Sequence, residues 1–114
     1  TEGVRLDDFS GLAYGCQVFS QSDDYSGRSM TNPTVPSEFK HETKKSVCIG
    51  RHCILGTYAV VFPGVAVAEG TAVGAMSVVT KSTEEWSIYV GNPARRVKSR
   101  NKDLLALEQA YLSQ

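Results

Sequence analysis

The sequence has no excess of charge and no long hydrophobic run. Its 114 residues include 12 basic and 12 acidic side chains, so the chain lacks the positive charge with which nucleic-acid-binding proteins neutralise phosphates. No apolar stretch approaches the roughly 20 residues that a transmembrane helix requires. These absences argue against a nucleic-acid partner and against a membrane span, and they predict one small soluble domain.

Cysteine is scarce, and the cysteines that occur form no pair motif. Cys16, Cys48 and Cys53 are an odd number without a C-x-x-C spacing, so neither a disulfide framework nor a zinc site is predicted. Reduced thiols are typical of cytoplasmic proteins, which is the location we expect. The chain begins Thr-Glu-Gly without an initiator Met or a signal-peptide pattern, which leaves room for a missing upstream segment.

The chain does contain an internal repeat of six residues. Aliphatic side chains recur at Leu6, Leu12, Val18, Ile49, Leu55, Val61, Val67, Val73 and Val79. Short side chains follow four residues later, at Ser10, Cys16, Ser22, Cys53, Ala59, Val65, Thr71 and Ser77. A period of six fits neither the helical period of 3.6 nor the strand period of 2, either of which would scatter the aliphatic residues over every side.

The repeat predicts a triangular coil. If each six-residue unit forms one flat strand and one turn, three units close a coil, and the aliphatic side chains of successive coils stack in columns. The predicted columns are Leu6 with Ile49 and Val67, Leu12 with Leu55 and Val73, and Val18 with Val61 and Val79. Val47 precedes Ile49 as Val65 precedes Val67, which supports a return to the same register after residue 46.

Two motifs at the end of the repeat resemble a known family. Val73-Gly-Ala-Met-Ser-Val-Val-Thr-Lys81 is followed after nine residues by Gly91-Asn-Pro-Ala-Arg-Arg-Val-Lys98. Together they are similar to the closing VGAGSVVTK and GNPAKxI signatures of the hexapeptide-repeat acyltransferases. Ser22-Asp-Asp-Tyr-Ser-Gly and Thr31-Asn-Pro-Thr-Val-Pro36 are also similar to bacterial galactoside-type and polysaccharide-sugar O-acetyltransferases.

The resemblance implies an all-β fold: a left-handed parallel β-helix of about three coils with an extruded loop and a short C-terminal α-helix. The left hand is an exception to the usual right-handed crossover of parallel strands. The resemblance also implies a homotrimer with active sites between neighbouring subunits. Such an enzyme transfers an acetyl group from acetyl-CoA to a hydroxyl or amino group of a sugar, and no metal is expected.

Two segments depart from the repeat. Loop 24–46 contains Gly27, Pro33 and Pro36 among many polar residues, which is typical of a functional lid or of a floppy insertion. We therefore divide the chain into a β-helix domain at 1–90, including this loop, and a tail at 91–114. In the tail a basic turn leads to a helix, capped at Asn101, that we expect to pack on the last coil. Its apolar positions are Leu104, Leu105, Leu107, Tyr111 and Leu112.

Loop residues are the candidates for the general base that acyl transfer requires. The resembled enzymes use a histidine at the last position of the unit that opens into the loop, and this position is Asp23 here. Asp23 with the adjoining Asp24 is one candidate, and His41 is the other. Turn formation by the two aspartates is the alternative to catalysis. His52 lies at an exterior turn position and is predicted to be a surface or subunit contact.

The resemblance assigns the acyl donor to small residues and cations that follow the loop: Thr57, Gly74, Ala75, Thr80, Lys81, Arg95 and Lys98. Gly74 and Ala75 remove side-chain bulk, so that a pantetheine arm can lie along the backbone; simple turn geometry is the alternative. Arg95 and Lys98 belong to a basic cluster, which binds coenzyme A phosphates or is only a solvated cationic face. The other members of the cluster are Arg96, Arg100 and Lys102.

Two functions remain open from the sequence. The first is an acetyl-CoA-dependent sugar acetyltransferase. The second is a non-catalytic, trimeric β-helical module that has lost the family's histidine. The carbonic anhydrase activity of some β-helices is not expected, because their zinc needs three histidines and this chain has two.

Overall fold

The computed structural model describes residues 3–22, 25–41 and 43–114. Short strands dominate this part of the chain, and one helix follows them. The elements are β1 (Val4–Leu6), β2 (Gly11–Leu12), β3 (Gln17–Val18), β4 (Gln21–Ser22), β5 (Thr43–Lys44), β6 (Val47–Ile49), β7 (Ile54–Leu55), β8 (Val60–Val61), β9 (Ala66–Val67), β10 (Ala72–Val73), β11 (Val78–Val79), β12 (Ser87–Gly91), β13 (Ala94–Ser99) and α1 (Leu104–Leu112).

The strands form a parallel β-helix with three flat faces. The first face pairs β1, β6 and β9, the second pairs β2, β7, β10 and β12, and the third pairs β3, β8 and β11, all in parallel. Each pairing places an aliphatic residue of the repeat opposite the one in the next coil, for example Leu6 opposite Ile49 and Ile49 opposite Val67. The three predicted columns and the register after residue 46 are therefore confirmed.

The stacked columns form the core. Ile49, Leu55 and Val61, which lie in the second coil, are fully buried, because inward side chains of two neighbouring coils cover them. Leu6 and Leu12 occupy the same columns in the first coil, yet they are 51% and 38% exposed. They contact a neighbouring coil on one side only, so the hydrophobic stabilisation per side chain is smaller at this end of the helix.

The corners between the faces use a backbone conformation that the sequence analysis did not predict. The residue three positions later has a positive φ after seven of the nine aliphatic residues, at Phe9, Gly15, His52, Tyr58, Gly64, Gly70 and Met76. Gly70 is required there for a second reason, since a Cβ at this position would lie 2.2 Å from the ring of Trp86 in the next coil. Gly64 and Gly70, which are six residues apart, were the available signal for this turn.

Three corners separate the faces of the β-helix, and each is defined by the residues that stack along it. The first corner holds Phe9, His52, Gly70 and Trp86. The second corner holds Tyr14, Thr57, Tyr58, Ala75 and Met76. The third corner holds Phe19, Phe62, Pro63, Thr80 and Lys81.

The end of the chain differs from the predicted tail. β12 continues the second face, turns at Asn92 and Pro93, and returns as the antiparallel strand β13. Gly91, where the sequence analysis began the tail, is the last residue of β12. The basic cluster therefore begins on a β-strand rather than in a turn.

Helix α1 packs on the first two coils, so its predicted position on the last coil is wrong. Arg100 donates hydrogen bonds to the carbonyl oxygens of His52 at 2.6 Å and Gly70 at 3.0 Å, which turns the chain back along the first corner. Tyr111 of the helix then meets Phe9 edge-on at 6.3 Å between ring centroids.

The root of loop 24–46 is closed by a short antiparallel pair. Gln21 lies opposite Lys44, and Ser22 lies opposite Thr43. The described part of the loop has local structure of its own, with a 3₁₀ turn at Ser37–Phe39 and a bridge between Met30 and Lys40. Within the described ranges, no helix has the length and apolar character that crossing a membrane requires.

Candidate functional site

The candidate bases belong to the chain segment between β4 and β5. Asp23 and Asp24 lie outside the described residues. Ser22, which directly precedes them in the chain, ends β4 and pairs with Thr43 of β5. His41 is described and is exposed in the loop, two residues before β5. The pairing of β4 with β5 therefore closes the loop whose sequence contains the candidate bases.

The second corner contains two of the predicted donor residues, Thr57 and Ala75, and a third, Gly74, directly precedes Ala75. The backbone N–H of Met76 donates to the carbonyl oxygen of Thr57 at 2.8 Å, which aligns Thr57 and Ala75 in successive coils. The coils approach so closely here that a Cβ on Gly56 would lie 2.6 Å from the amide nitrogen of Ala75. Gly74 faces Val90 of β12, whose side chain lies 3.1 Å from the position of a Cβ.

The third corner contains Thr80 and Lys81, so the structure does not bring all donor residues to one place. Both residues follow β11 directly and both are exposed. The backbone N–H of Phe62 donates to the carbonyl oxygen of Val79 at 3.0 Å, which stacks Thr80 in the coil next to Phe62. The third face therefore separates Thr80 and Lys81 from Thr57, Gly74 and Ala75.

The basic cluster divides into engaged and open cations. Arg96 donates to the hydroxyls of Ser87 and Ser99, each at 2.9 Å. Arg100 holds backbone carbonyls, as described above, and Lys102 lies 5.8 Å from the ring centroid of Trp86. These three cations therefore contact other residues of the chain and stabilise its fold.

Arg95 and Lys98 are the open cations of the cluster. Both lie exposed on β13, opposite Val90 and Ile88. Neither side chain makes a hydrogen bond or an ion pair with any residue that the structure describes. Arg95 lies beside the second corner, because its partner Val90 packs over Gly74. An anion that approached this edge would meet both charges.

His52 is buried, which corrects its predicted place at the surface. Its turn position is exterior to the coil, as expected, but α1 covers it and leaves 9% of its surface exposed. The ring stacks on Phe9 at 5.0 Å between centroids, and its Nε2 is hydrogen-bonded to the carboxylate of Glu108. Arg51 donates to the same carboxylate at 2.6 Å. The group anchors the helix, and the sequence carried no signal for a contact between residues so far apart.

The hydrogen bond from His52, together with the hydrogen bond and charge of Arg51, holds the pKa of the Glu108 carboxyl below its usual range. The carboxylate therefore stabilises the docked helix above the usual glutamate pKa, and this stabilisation is lost as the pH falls through the lowered value. We expect the fluorescence of Trp86, the only tryptophan, to report helix release as the pH falls below the usual range of the glutamate pKa. Glu108→Gln should abolish this transition; an unchanged transition in the variant would contradict the assignment.

Two of the three cysteines, Cys16 and Cys53, form hydrogen bonds inside the coils. Cys53 is buried and donates to the carbonyl oxygen of Ala68 at 3.0 Å, and burial raises the pKa of its thiol. Cys16 donates to the carbonyl oxygen of Gly56 at 3.0 Å. Among the described residues there is no group of three or more His, Cys, Asp or Glu side chains that could hold a metal ion.

A parallel β-helix built from six-residue units is the scaffold of hexapeptide-repeat proteins. The comparisons with known proteins agree with this assignment. No protein-family model matches the chain. The chain is 38% identical over 108 residues to a dTDP-4-amino-4,6-dideoxy-D-glucose acyltransferase of Escherichia coli, which covers 95% of this chain and 56% of the relative. A putative lipopolysaccharide biosynthesis O-acetyl transferase of Escherichia coli K12 is 33% identical over 81 residues, or 71% of this chain and 41% of the relative.

Solved structures give the same answer. AntD, an N-acyltransferase from Bacillus cereus solved in complex with dTDP and 3-hydroxybutyryl-CoA, superposes with a TM-score of 0.96 at 36% identity, covering 99% of this chain and 60% of that chain. A galactoside acetyltransferase in complex with coenzyme A has a TM-score of 0.72 at 20% identity, covering 86% and 46%, and shows the fold alone. The resemblance to hexapeptide acyltransferases and the left-handed β-helix are confirmed. The chain spans little more than half the length of the amino-sugar acyltransferase and of AntD, and less than half the length of the other two proteins.

Proposed function

We propose that this chain forms the acyl-CoA-binding part of a sugar acyltransferase whose acceptor is the amino group of a nucleotide-linked sugar. The observation that carries the proposal is the 38% identity with an amino-sugar acyltransferase over 95% of this chain. The open cations Arg95 and Lys98, of which Arg95 lies beside the second corner, support the donor half of the proposal. The three free thiols favour the reducing cytoplasm as its location.

The reaction joins the sugar nitrogen to the acyl carbon and breaks the carbon–sulfur bond of the thioester. The amine attacks the carbonyl, a base takes the proton from the nitrogen of the tetrahedral intermediate, and the thiolate leaves and is protonated to free coenzyme A. A neutral amine is already nucleophilic, whereas a hydroxyl must be deprotonated as it attacks. An aspartate at position 23 therefore suits an amino acceptor better than a hydroxyl acceptor, for which the resembled enzymes use histidine.

The donor half predicts a loss of affinity when the open cations are removed. Arg95→Ala and Lys98→Ala should each weaken acetyl-CoA binding by about tenfold or more, because a charge-assisted hydrogen bond contributes roughly 1.5 to 3 kcal/mol. Calorimetric titration measures the change, and dephospho-coenzyme A should show a smaller deficit in whichever variant loses the 3′-phosphate contact. Arg5→Ala is the matched control, since Arg5 is an exposed cation on the first face that pairs with Asp7 at 2.8 Å. Equal affinities in all proteins would mean that Arg95 and Lys98 form only a solvated cationic face and do not bind coenzyme A.

We also propose that the chain assembles as a homotrimer, with loop 24–46 contacting a neighbour. Among the described residues, 17 large hydrophobic side chains are exposed while 11 hydrophobic residues are buried. This imbalance favours association, because exposed apolar surface on a small domain marks an interaction site. Light scattering at micromolar concentration should give three times the mass of the chain, and a stable monomer would contradict the assembly.

Thiol release tests the proposed function. Acetyl-CoA with a dTDP-linked 4-amino sugar should yield free coenzyme A at a rate that depends on both substrates and on the protein. The matched acceptor with a hydroxyl in place of the amine should react much more slowly. If the protein neither binds acetyl-CoA nor releases thiol with either acceptor, the chain is a non-catalytic β-helical module instead.

A further inference from the structure

A half-open cavity of about 230 Å³ lies at the third corner, beside the root of loop 24–46. None of the predicted site residues that the structure describes lines it. Its lining residues are Phe19, Gln21, Ser22, Tyr25, Phe62 and Pro63. Phe19 and Phe62 each follow an inward residue of the third-face column, Val18 and Val61, so the repeat places the two rings on successive coils at the same corner.

Two of the three aromatic rings at the cavity are exposed. Phe19 is 42% exposed and Tyr25 is 83% exposed, whereas Phe62 is partly buried against the core. None of Phe19, Tyr25 and Phe62 makes a ring contact with another ring in the part of the chain that the structure describes. At the second corner, by contrast, Tyr14 and Tyr58 pack edge-to-face at 5.7 Å. Three rings around one cavity without mutual packing are typical of a platform on which a planar group stacks.

The size of the cavity restricts that planar group. Pockets for drug-sized ligands measure roughly 300 to 1,000 Å³, so a cavity of about 230 Å³ holds one ring rather than a whole nucleotide. Gln21 and Ser22 line the cavity and already interact with other residues of the chain, so the choice of a single-ring base depends on the size of the cavity and on its aromatic lining.

The position of the cavity connects it to the reaction. Ser22 lines the cavity and directly precedes Asp23 in the chain. The side chain of Lys45 packs over Gly64, the residue after Pro63, because a Cβ on Gly64 would lie 3.0 Å from the Lys45 Cδ. Lys45 therefore brings a positive charge to the third corner. A ring bound in the cavity would have its attached diphosphate near Lys45 and its sugar near the loop root.

We propose that this cavity binds the pyrimidine base of the nucleotide-linked sugar, stacked among Phe19, Tyr25 and Phe62. The inference rests on the proposed function for the presence of a nucleotide on the acceptor, and it adds the site and the single-ring class of the base. It places acceptor recognition at the third corner, across the third face from Arg95.

Binding of dTDP alone to the whole chain tests the inference. Calorimetry should show binding of dTDP, with ADP weaker by about tenfold or more because its two-ring base exceeds the cavity. Tyr25→Ala and Phe19→Ala should each weaken dTDP by about tenfold, the usual effect of removing a stacking ring. Acetyl-CoA affinity should stay unchanged in both variants. Tyr111→Ala is the matched control, since Tyr111 is 62% exposed and lies on α1 at the first corner.

The outcomes separate this inference from the proposed function. Thiol release with an amino sugar, together with no binding of dTDP, would overturn the pyrimidine site and leave the acyltransferase standing. Binding of dTDP that is equal in wild type, Tyr25→Ala and Phe19→Ala would also overturn it, because the nucleotide would then bind elsewhere. Light scattering on Tyr25→Ala measures the mass of the assembly. A smaller assembly with unchanged dTDP affinity would show that the cavity is a subunit contact and would overturn the proposal. Selective loss of dTDP binding supports it even if no thiol is released.

Discussion

Asp23→Asn is expected to lower the rate of acyl transfer by about two to four orders of magnitude, with acetyl-CoA affinity nearly unchanged. Asparagine keeps the shape of the side chain but cannot accept the proton that leaves the amine. Asp23 directly follows Ser22, the last residue of β4, in the chain, and a general base needs fixed placement beside its substrate. Steady-state thiol release measures the rate, and calorimetry measures the affinity.

Two matched variants show whether the loss belongs to Asp23. Asp24→Asn makes the same chemical change one residue later, and His41→Ala removes the exposed histidine of the loop; both should do much less. The wild-type rate should rise through an apparent pKa that disappears in Asp23→Asn, which a turn-forming aspartate would not produce. If His41→Ala abolishes turnover while Asp23→Asn stays active, the histidine is the base and the position carried over from the resembled family is wrong.

Leu55→Ala is expected to lower the free energy of unfolding by about 3 to 5 kcal/mol. Leu55 is fully buried between Leu12 and Val73 in the second column, so its removal leaves a cavity that neighbouring coils cannot fill. Urea unfolding at a fixed protomer concentration measures the change, since assembly adds to apparent stability.

The same substitution one coil earlier is the control. Leu12→Ala removes the same atoms from the same column, but Leu12 is 38% exposed. It should cost about 1 to 2 kcal/mol, because part of the side chain is already in water. Equal losses at the two positions would contradict the description of the first coil as the open end of the stack.

The columns could be predicted from the sequence because a period of six sets both the face and the register of every strand. A slip of one residue would turn Ile49 and its partners outward, so the aliphatic positions alone determine which strands pair. The donor residues could be located only in part. The resemblance assigned Ala75 and Lys81 to one ligand, although each comes two residues after a valine, Val73 and Val79, that the repeat places on different faces.

Contacts between distant segments were beyond sequence reasoning. The strand β13 contains a run of basic residues, from which its pairing with β12 could not be predicted. The docking of α1 depends on Glu108 reaching Arg51 and His52 across the first corner, and no local pattern encodes that meeting. The aromatic cavity was visible only as Phe19 and Phe62, each one position after an inward valine.

The mass of the acceptor after incubation with carbon-13-labelled acetyl-CoA tests the central claim most directly. The account predicts that a dTDP-linked 4-amino sugar gains one labelled acetyl group through an amide bond, only in the presence of the protein. It also predicts that Asp23→Asn yields far less product in the same time. An acceptor of unchanged mass, with acetyl-CoA intact and the protein correctly folded, would contradict acyl transfer to an amino sugar.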